Sequence, residues 1–498
     1  MPPKKTVVKN NIKEETTESS FNNSSNDNSS NSPSINSIDD IEGNKYNTVA
    51  IILPKQNDKK ENILSTDVNP NYIDGLLYPK YSLGFHHYIH DTKDKMQIIE
   101  QFKGKKQVYR VTNPFEEQVD DYNDTINNAC NKYFDLGKDK KPKILSRGFY
   151  KLWEILMTFD LIPLDSSFIS AHLAEGPGSF IQATMFYREL FAKNSKNDKY
   201  HAVTLHPEAE LGHVPPLEEE FIKYYDKESP KRFILHKTYS KQVAGGFDDK
   251  DNGDILDPKT HLLFGGQIGE KVDFITADGG FNWKNENTQE QEACKLILGQ
   301  IIGAIKLQKK SGSFVCKLFE TYTNASVKIL QLLTAFYENI YVVKPLMSRP
   351  SNSEKYVVCS DFKFSPSDKL YVSSIKQLDE LLEKSFKTKK NIFDIFPNFK
   401  PNDDMLATTI VLNNAIANQQ FVSINEIVKF IESQNYYGDA YHMYREMQIN
   451  ASKYWISTYL PSKNKLTEVK KMLFDNINTN IKKNDAKIKD IINKVVFN

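Results

Sequence analysis

Between Arg147 and about Phe364 the sequence alternates short apolar runs with helical stretches, and this rhythm most constrains the fold. The apolar runs are FISAHLAE, HAVTLH, VDFITAD, GSFVCKLF, NIYVVKP and KYVVCSDF. RGFYKLWEILMTFDLI precedes them with apolar residues at helical spacing. SFIQATMFYRELFAKN, QEACKLILGQIIGAIKLQKK and NASVKILQLLTAFYEN separate several of them with the same spacing. Strands alternating with helices imply βαβ units, a mostly parallel sheet and helices on both of its faces. Only PLMSRPSNSE joins the last two runs. A parallel crossover needs a longer connection, so these two strands should run antiparallel.

The flanks differ in character. Residues 1–45 are rich in Ser and Asn and poor in aromatics, and cannot bury enough apolar surface to offset their ordering entropy, so they read as a disordered tail. KKTVVKNNIK within it reads as solvated rather than as a targeting or RNA-contact signal. Residues 46–140 form a mixed region, with a strand at NTVAIILPK and helices at KDKMQIIEQFK and PFEEQVDDYNDTINNACNKYFDLG. Its HHYIH places His86 and His90 four residues apart, a metal-pair spacing. No carboxylate or cysteine motif completes a ligand set, so packed or surface histidines are expected and no metal. Residues 141–365 hold the alternating pattern. Residues 366–498 read as helical through SIKQLDELLEKSF, INEIVKFIES, YHMYREMQINASKYWISTYL and LTEVKKMLFDNINTNIKKN. The last of these is Lys-rich and reads as a solvated amphipathic helix.

Composition narrows the class. The 498 residues carry a formal net charge of +1, so no global basic excess marks a nucleic-acid partner and any such surface must be local. The 30 Phe and 25 Tyr are ample for a packed core. Cys130, Cys294, Cys316 and Cys359 are scattered without a CxxC pair, which argues for reduced thiols and against a zinc ribbon or disulfide framework. No apolar run reaches membrane-spanning length, and MPPKKTVVKNN lacks the apolar core of a signal peptide. A soluble intracellular protein without a membrane partner is expected, in the cytoplasm rather than the nucleus.

AHLAEGPGSF holds a glycine-rich turn between a strand and a helix. It lacks the GK[ST] of a phosphate loop and the third glycine of a dinucleotide fingerprint, which disfavours a dehydrogenase. Such a turn lets backbone approach a ligand at the carboxyl edge of a sheet, and Glu175 would suit a cationic ligand end; a plain tight turn fits nearly as well. Four companions shift the balance. Asp278 ends the run VDFITAD and should project from the same edge. Lys317 sits between apolar neighbours in FVCKLF and so needs a partner or a task. Glu354 opens the last strand and Lys151 lies on the helix before the first. Singly these read as a turn carboxylate, a snorkelling lysine and surface charges. Together they are an alternating Lys-Asp-Lys-Glu set.

The chain from about Leu145 to Phe364 resembles the FtsJ-like ribose 2′-O-methyltransferases, closest to the eukaryotic and viral mRNA-cap branch with its Adrift-type domain. SRGFYKLWEI, HLAEGPGSF, NGDI, TADGGFNW, QEQEA, GSFVCKLF and KPLMSRPSNSEKYVVC follow in family order and spacing. The resemblance implies a class I (Rossmann-like) sheet with an antiparallel edge strand. It implies a catalytic tetrad of Lys151, Asp278, Lys317 and Glu354. Glu175, Gly176, Pro177, Gly178 and Ser179 would cradle S-adenosylmethionine, with Asp254 and Ile255 near its adenine and Asp278 beside it. Ser146, Asn287, Gln289 and Asn352 match positions that would touch RNA. TLHP ends the second strand without the acid that many class I methyltransferases use for the cofactor ribose. The flanks lie outside the resemblance.

On this reading Lys317 is the general base for a ribose hydroxyl, with Lys151 as the neighbouring cation that destabilises its ammonium, and no metal is needed. Capped mRNA is then the expected substrate, with capping or transcription machinery as partners and a large DNA virus as a suggested source, in which case the virion or viral factory is the expected location. Ribosomal or transfer RNA, or a catalytically silent RNA-binding capping subunit, are the alternatives.

Overall fold

A computed structural model of the chain describes residues 46, 48–56, 62–116, 125–137, 140–205, 217–228, 232–236, 253–280 and 285–494. The tail expected over 1–45 lies outside them. β1 (Val49–Ile52), β2 (Asn71–Ile73), α1 (Leu83–Asp94) and α2 (Thr125–Phe134) precede the alternating segment. That segment holds α3 (Arg147–Thr158), β3 (Ile169–Leu173), α4 (Ser179–Phe191), β4 (Lys199–Val203), α5 (Glu219–Glu228) and β5 (Phe233–Leu235). It continues with α6 (Pro258–Ile268), β6 (Val272–Ala277), α7 (Gln289–Leu307), β7 (Gln308–Leu318), α8 (Asn324–Phe336), β8 (Tyr337–Lys344) and β9 (Lys355–Phe362). After it come α9 (Lys369–Lys387), β10 (Asn391–Asp394), α10 (Asp403–Ser433), α11 (Asp439–Tyr459) and α12 (Leu466–Lys494). All six apolar runs are strands. β5 is a further strand that its three-residue length hid.

The main sheet has the order β1-β8-β9-β7-β6-β3-β4-β5. β3 to β7 are mutually parallel. β9 pairs antiparallel with both β7 and β8, as the short connection between the last two runs required. Side chains alternate between two cores. Phe274, Val315 and Val358 face one that takes in α3, α4 and α5, while Ile275, Cys316 and Val357 face another that takes in α7 and α8. The sheet is therefore buried on both faces, which is why its strands read as apolar runs rather than as alternating patterns.

The flanks are built onto this sheet. β1 extends it antiparallel to β8, with Ala50 opposite Val343. β2 and β10 form a second, two-stranded sheet that joins the regions before and after the alternating segment. α12 is amphipathic as expected. Its buried face includes Leu473, Ile477 and Ile481, while Asn480 and Asn484 donate side-chain N–H to the Thr48 and Ala50 carbonyls at 3.1 and 3.0 Å. Trp153 of α3 donates to the Tyr459 carbonyl at 2.7 Å, and both Trp153 and Trp455 are fully buried. KDKMQIIEQFK forms a 3₁₀ helix over Lys95–Phe102 rather than an α-helix. The four cysteines are buried free thiols. Among the described residues no helix is long and apolar enough to cross a membrane.

Arg188 of α4 is fully buried and clamps Asp198 through Nε and Nη2, both at 2.8 Å, while also donating to the Ser166 carbonyl. Arg188→Met leaves Asp198 as an uncompensated buried charge. It should lower the unfolding free energy by about 3–5 kcal/mol, read from the urea midpoint.

Candidate functional site

Strand direction decides what meets at one edge of the sheet. β3, β4, β6 and β7 run parallel and end together, delivering Glu175, Thr204, Asp278 and Lys317 to their carboxyl edge. β9 runs the opposite way, so the residue before its start, Glu354, lies at that same edge. The register makes this concrete: Ala277 lies beside Cys316, and Lys317 is opposite Tyr356. Lys317 is therefore flanked by Asp278 on one side and by the β9 entry on the other.

All four members of the Lys-Asp-Lys-Glu set meet. Lys151 Nζ lies 2.7 Å from Glu354 Oε1, and Lys317 Nζ lies 3.2 Å from Asp278 Oδ1. Lys317 also donates to the Asp278 carbonyl at 2.7 Å, and the Tyr356 hydroxyl donates to Asp278 Oδ1 at 3.1 Å. Sequence reasoning missed Tyr356, and it missed a third lysine. Lys344 is buried at the end of β8 and donates to the Asn352 carbonyl, Asn352 Oδ1 and the Glu354 carbonyl at 2.8, 2.9 and 2.7 Å. NIYVVKP carried that signal, a lysine closing an apolar strand, as plainly as FVCKLF did.

The electrostatics differ from expectation at one point. Burial alone would raise Glu354, but Lys151, Lys317 and Lys344 hold its carboxyl well below the usual range. Burial favours the neutral amine of Lys317, yet Asp278 and Glu354 outweigh it and raise Lys317 above its ordinary value. The expected depression by Lys151 is absent because Glu354 already neutralises that ammonium at 2.7 Å. Lys344, by contrast, is pushed down to about 7 by burial, against the pull of Glu354. The resting site thus holds Lys317 as an ammonium.

A cavity of about 810 Å³ opens over this edge, within the size range of small-molecule and cofactor sites. Gly176, Asp254, Ile255, Asp278, Asn287, Gln289, Lys317, Asn352 and Glu354 line it. Thr204 and Leu205 line it too, whereas 206–216 and 281–284, with the ends of TLHP and TADGGFNW, lie outside the described residues. Gly253 is the position where only glycine fits: its φ is +75°, and a Cβ there would sit 2.2 Å from the Thr204 carbonyl oxygen. The cavity wall also includes Met96, Tyr109, Arg110 and Ile424, from flanks that the sequence reading left without a role.

Glu175, Pro177, Gly178, Ser179 and Ser146 shape the loop rather than line the cavity. Glu175 is buried, and its Oε1 accepts the Phe180 and Ile181 amides at 2.9 and 2.8 Å, so it caps α4; its Oε2 has no hydrogen-bond partner. Burial is the main cause that raises its pKa well above the usual range. Pro177 and Gly178 form the turn, Gly178 with a φ of +110°. Ser146 caps α3 by accepting the Gly148 amide at 3.1 Å, and its hydroxyl lies 2.6 Å from that of Ser179. Asn287 donates to Asp94 at 3.0 Å, and Gln289 accepts from Ser353 at 3.1 Å. At HHYIH, the expectation that no carboxylate joins the pair needs correction. Glu320, just past β7, places Oε2 3.0 Å from His90 Nε2, while Lys93 pairs with its other oxygen. More than two hundred residues separate that carboxylate from the histidines, which no local spacing reveals.

An open α/β sheet with a glycine-lined cavity at its carboxyl edge and an inserted antiparallel strand is the frame of the class I methyltransferases. Residues 144–362 match the model of the FtsJ-like methyltransferase family. The chain is similar to "Cap-specific mRNA (nucleoside-2'-O-)-methyltransferase 1A" of Caenorhabditis briggsae, with 29% identity over 236 residues, 45% of this chain and 26% of that protein. It is equally similar to the "Inactive cap-specific mRNA (nucleoside-2'-O-)-methyltransferase 1B" of the same species, at 29% identity covering 45% of this chain and 27% of that protein. "Uncharacterized protein L511" of Acanthamoeba polyphaga mimivirus is 28% identical over 306 residues, 60% of this chain and 36% of that protein. The chain thus spans between a quarter and two fifths of the length of these relatives.

One helical turn of α3 secures the loop 345–354. Lys151 pairs with Glu354 at the loop's end, and Glu154 accepts the Leu346 and Met347 amides at its start, at 2.7 and 3.1 Å. Glu154 is buried and also accepts the Trp455 indole N–H at 2.9 Å. Glu154→Gln replaces an oxygen acceptor with a donor facing these N–H groups. It should cost about 1–3 kcal/mol of stability in denaturant titrations and speed hydrogen exchange at residues 346–353.

Proposed function

We propose that this protein transfers a methyl group from S-adenosylmethionine to a ribose 2′-hydroxyl in the first transcribed nucleotides of capped mRNA. The observation that carries the reading is the meeting of Asp278, Lys317 and Glu354 at one wall of a glycine-lined cavity, with Lys151 paired behind Glu354, in a segment that matches the FtsJ-like family. Binding alone would not need two lysines and two carboxylates interleaved at a buried edge.

The residues present fit the cofactor. Gly253 keeps the cavity wall against the Thr204 carbonyl where a side chain would intrude, and the Gly176 amide donates to Thr204 Oγ1 at 3.2 Å, fixing the loop's approach. Gly176, Asp254, Ile255 and Asp278 would hold the cofactor, with Glu175, Pro177, Gly178 and Ser179 setting the loop's shape. Bound there, it supplies a methyl group already activated on a sulfonium. Asn287, Gln289 and Asn352 would face the RNA, while Ser146 acts through Ser179.

Lys317 is the general base. Its Nζ takes the ribose hydroxyl proton, and Asp278, itself held by Tyr356, fixes where that nitrogen points. Lys151 and Glu354 form the second pair, which places Lys151 as a positioning and charge-balancing residue. The two carboxylates keep Lys317 protonated in the resting enzyme, so Nζ must first give that proton to solvent, and the free amine then takes the ribose hydroxyl proton as the oxygen takes the methyl group.

Three measurements test this. Methyl transfer from labelled cofactor should reach capped RNA, and nuclease mapping should place the label on a 2′-oxygen of the first nucleotides. Label found only in ribosomal or transfer RNA favours the alternative substrate. Cofactor and RNA binding without transfer favours a silent subunit, a reading kept alive by the similarity to a relative named inactive. Lys317→Ala should reduce the rate by about 10²–10⁴-fold with cofactor affinity largely kept. Because the folded Lys317 pKa is raised, the free amine is scarce at neutral pH and grows about tenfold per pH unit. The kcat/KM should therefore climb with near-unit slope from about pH 7 to about pH 9, and a plateau below about pH 8 would contradict the ion-pair account.

A further inference from the structure

The same cavity has a second charged wall, shared between residues before the family segment and two arginines within it. Glu116 is buried, with its side chain 3% exposed, and three guanidiniums converge on it. Arg349 forms a two-pronged pair, Nε to Oε2 at 2.7 Å and Nη2 to Oε1 at 2.8 Å. Arg110 Nη1 and Arg147 Nη1 each lie 3.8 Å from the carboxylate. Asn113 adds a hydrogen bond to Oε2 at 3.2 Å, and Gln448 of α11 pins the Asn113 and Glu116 carbonyls at 2.9 Å each. Three positive charges thus surround one negative charge on a backbone held from below.

The excess faces the cavity. Arg110, Glu116 and Arg349 line it together with Lys317 and Glu354. Arg147 spends its donors on the Phe115 and Met347 carbonyls, which leaves it a structural cation. Arg110 differs: among the described residues its guanidinium has only the 3.8 Å approach to Glu116, and its side chain is 36% exposed. Arg349 is 43% exposed and uses Nε and Nη2 on Glu116, leaving Nη1 unspent. Acidic residues lining the cavity have their own partners: Asp94 accepts from Asn287, Glu100 lies 3.9 Å from Lys103, Asp254 accepts the Leu256 amide, Asp278 pairs with Lys317, and Glu354 pairs with Lys151. Unspent guanidinium donors with surplus charge, preorganised by a buried carboxylate, suit a phosphate.

We propose that Arg110 and Arg349, oriented by Glu116, form a phosphate-binding site that holds a phosphate of the RNA substrate beside the Lys317 edge. This rests on the RNA reading above and adds its anchoring point. Glu116 is a positioning residue, and the ligand contacts belong to Arg110 and Arg349. The phosphate can belong to a 5′ polyphosphate bridge or to a phosphodiester, which share the same chemistry.

Arg110→Gln is the test variant, because no hydrogen bond within the described fold depends on that side chain. Fluorescence anisotropy across a salt series would compare 5′-triphosphate and 5′-hydroxyl RNA of one sequence, with inorganic tripolyphosphate titrated separately by calorimetry. Wild-type protein should bind tripolyphosphate, and the variant about tenfold more weakly. RNA affinity should fall similarly, with the log–log salt slope reduced by about 0.7, while S-adenosylhomocysteine affinity and melting temperature stay unchanged. A loss confined to 5′-triphosphate RNA assigns the site to the polyphosphate bridge, and an equal loss on both RNAs assigns it to a phosphodiester. Unchanged tripolyphosphate and RNA binding in the variant overturns the proposal, even if methyl transfer to RNA is intact. A wild-type protein that binds tripolyphosphate through Arg110 but neither binds nor methylates RNA leaves the phosphate site standing and overturns the RNA reading instead.

Discussion

The site depends on one buried carboxylate surrounded by lysines. Glu354 is held ionised by Lys151 from a helix and by Lys317 and Lys344 from the two strands that flank β9 on either side. A charge so enclosed is tolerable only while its partners stay in place, since removing a single partner from a buried pair strands the other. The reversal of β9 makes the arrangement reachable, because it brings a residue at the start of a strand to the edge where its neighbours end. Sheet topology and catalytic electrostatics are here the same constraint seen at two scales.

Lys317 shows how far pairing can alter a role assigned by proximity alone. Two lysines close in space suggest mutual repulsion and a freed amine, yet each has its own carboxylate, and the net field on Lys317 favours its proton. The base is stored in its conjugate-acid form. Lys344 has the opposite balance, with burial dominant, and it spends its donors on the loop carbonyls instead.

Much of the fold was legible because a sheet covered on both faces writes itself as apolar runs, and because a ten-residue connection permits only one strand direction. The tetrad was legible because lysines and acids at the ends of such runs are out of place in a core. Glu116 and Glu320 were not, since Glu116 meets Arg147 and Arg349, and Glu320 meets His90 and Lys93, only across long sequence separations, and Arg110 gained meaning only through Glu116. Glu175 was visible as an acid in the loop, but its capping bonds to Phe180 and Ile181 follow from the turn's three-dimensional path. The placement of β1 against β8 was likewise hidden: a strand in sequence does not state which edge it will join.

That edge carries a consequence for anyone who would isolate the family segment alone. Cut from its flanks, residues 144–362 would lose β1 and with it the partner that occupies the outer hydrogen-bonding groups of β8, along with the α12 asparagines that bind the β1 carbonyls. β8 is an eight-residue strand with an apolar run, and stripped of its neighbour it would offer a row of unpaired amides and carbonyls to any other chain. The flanking regions act as a built-in guard against self-association.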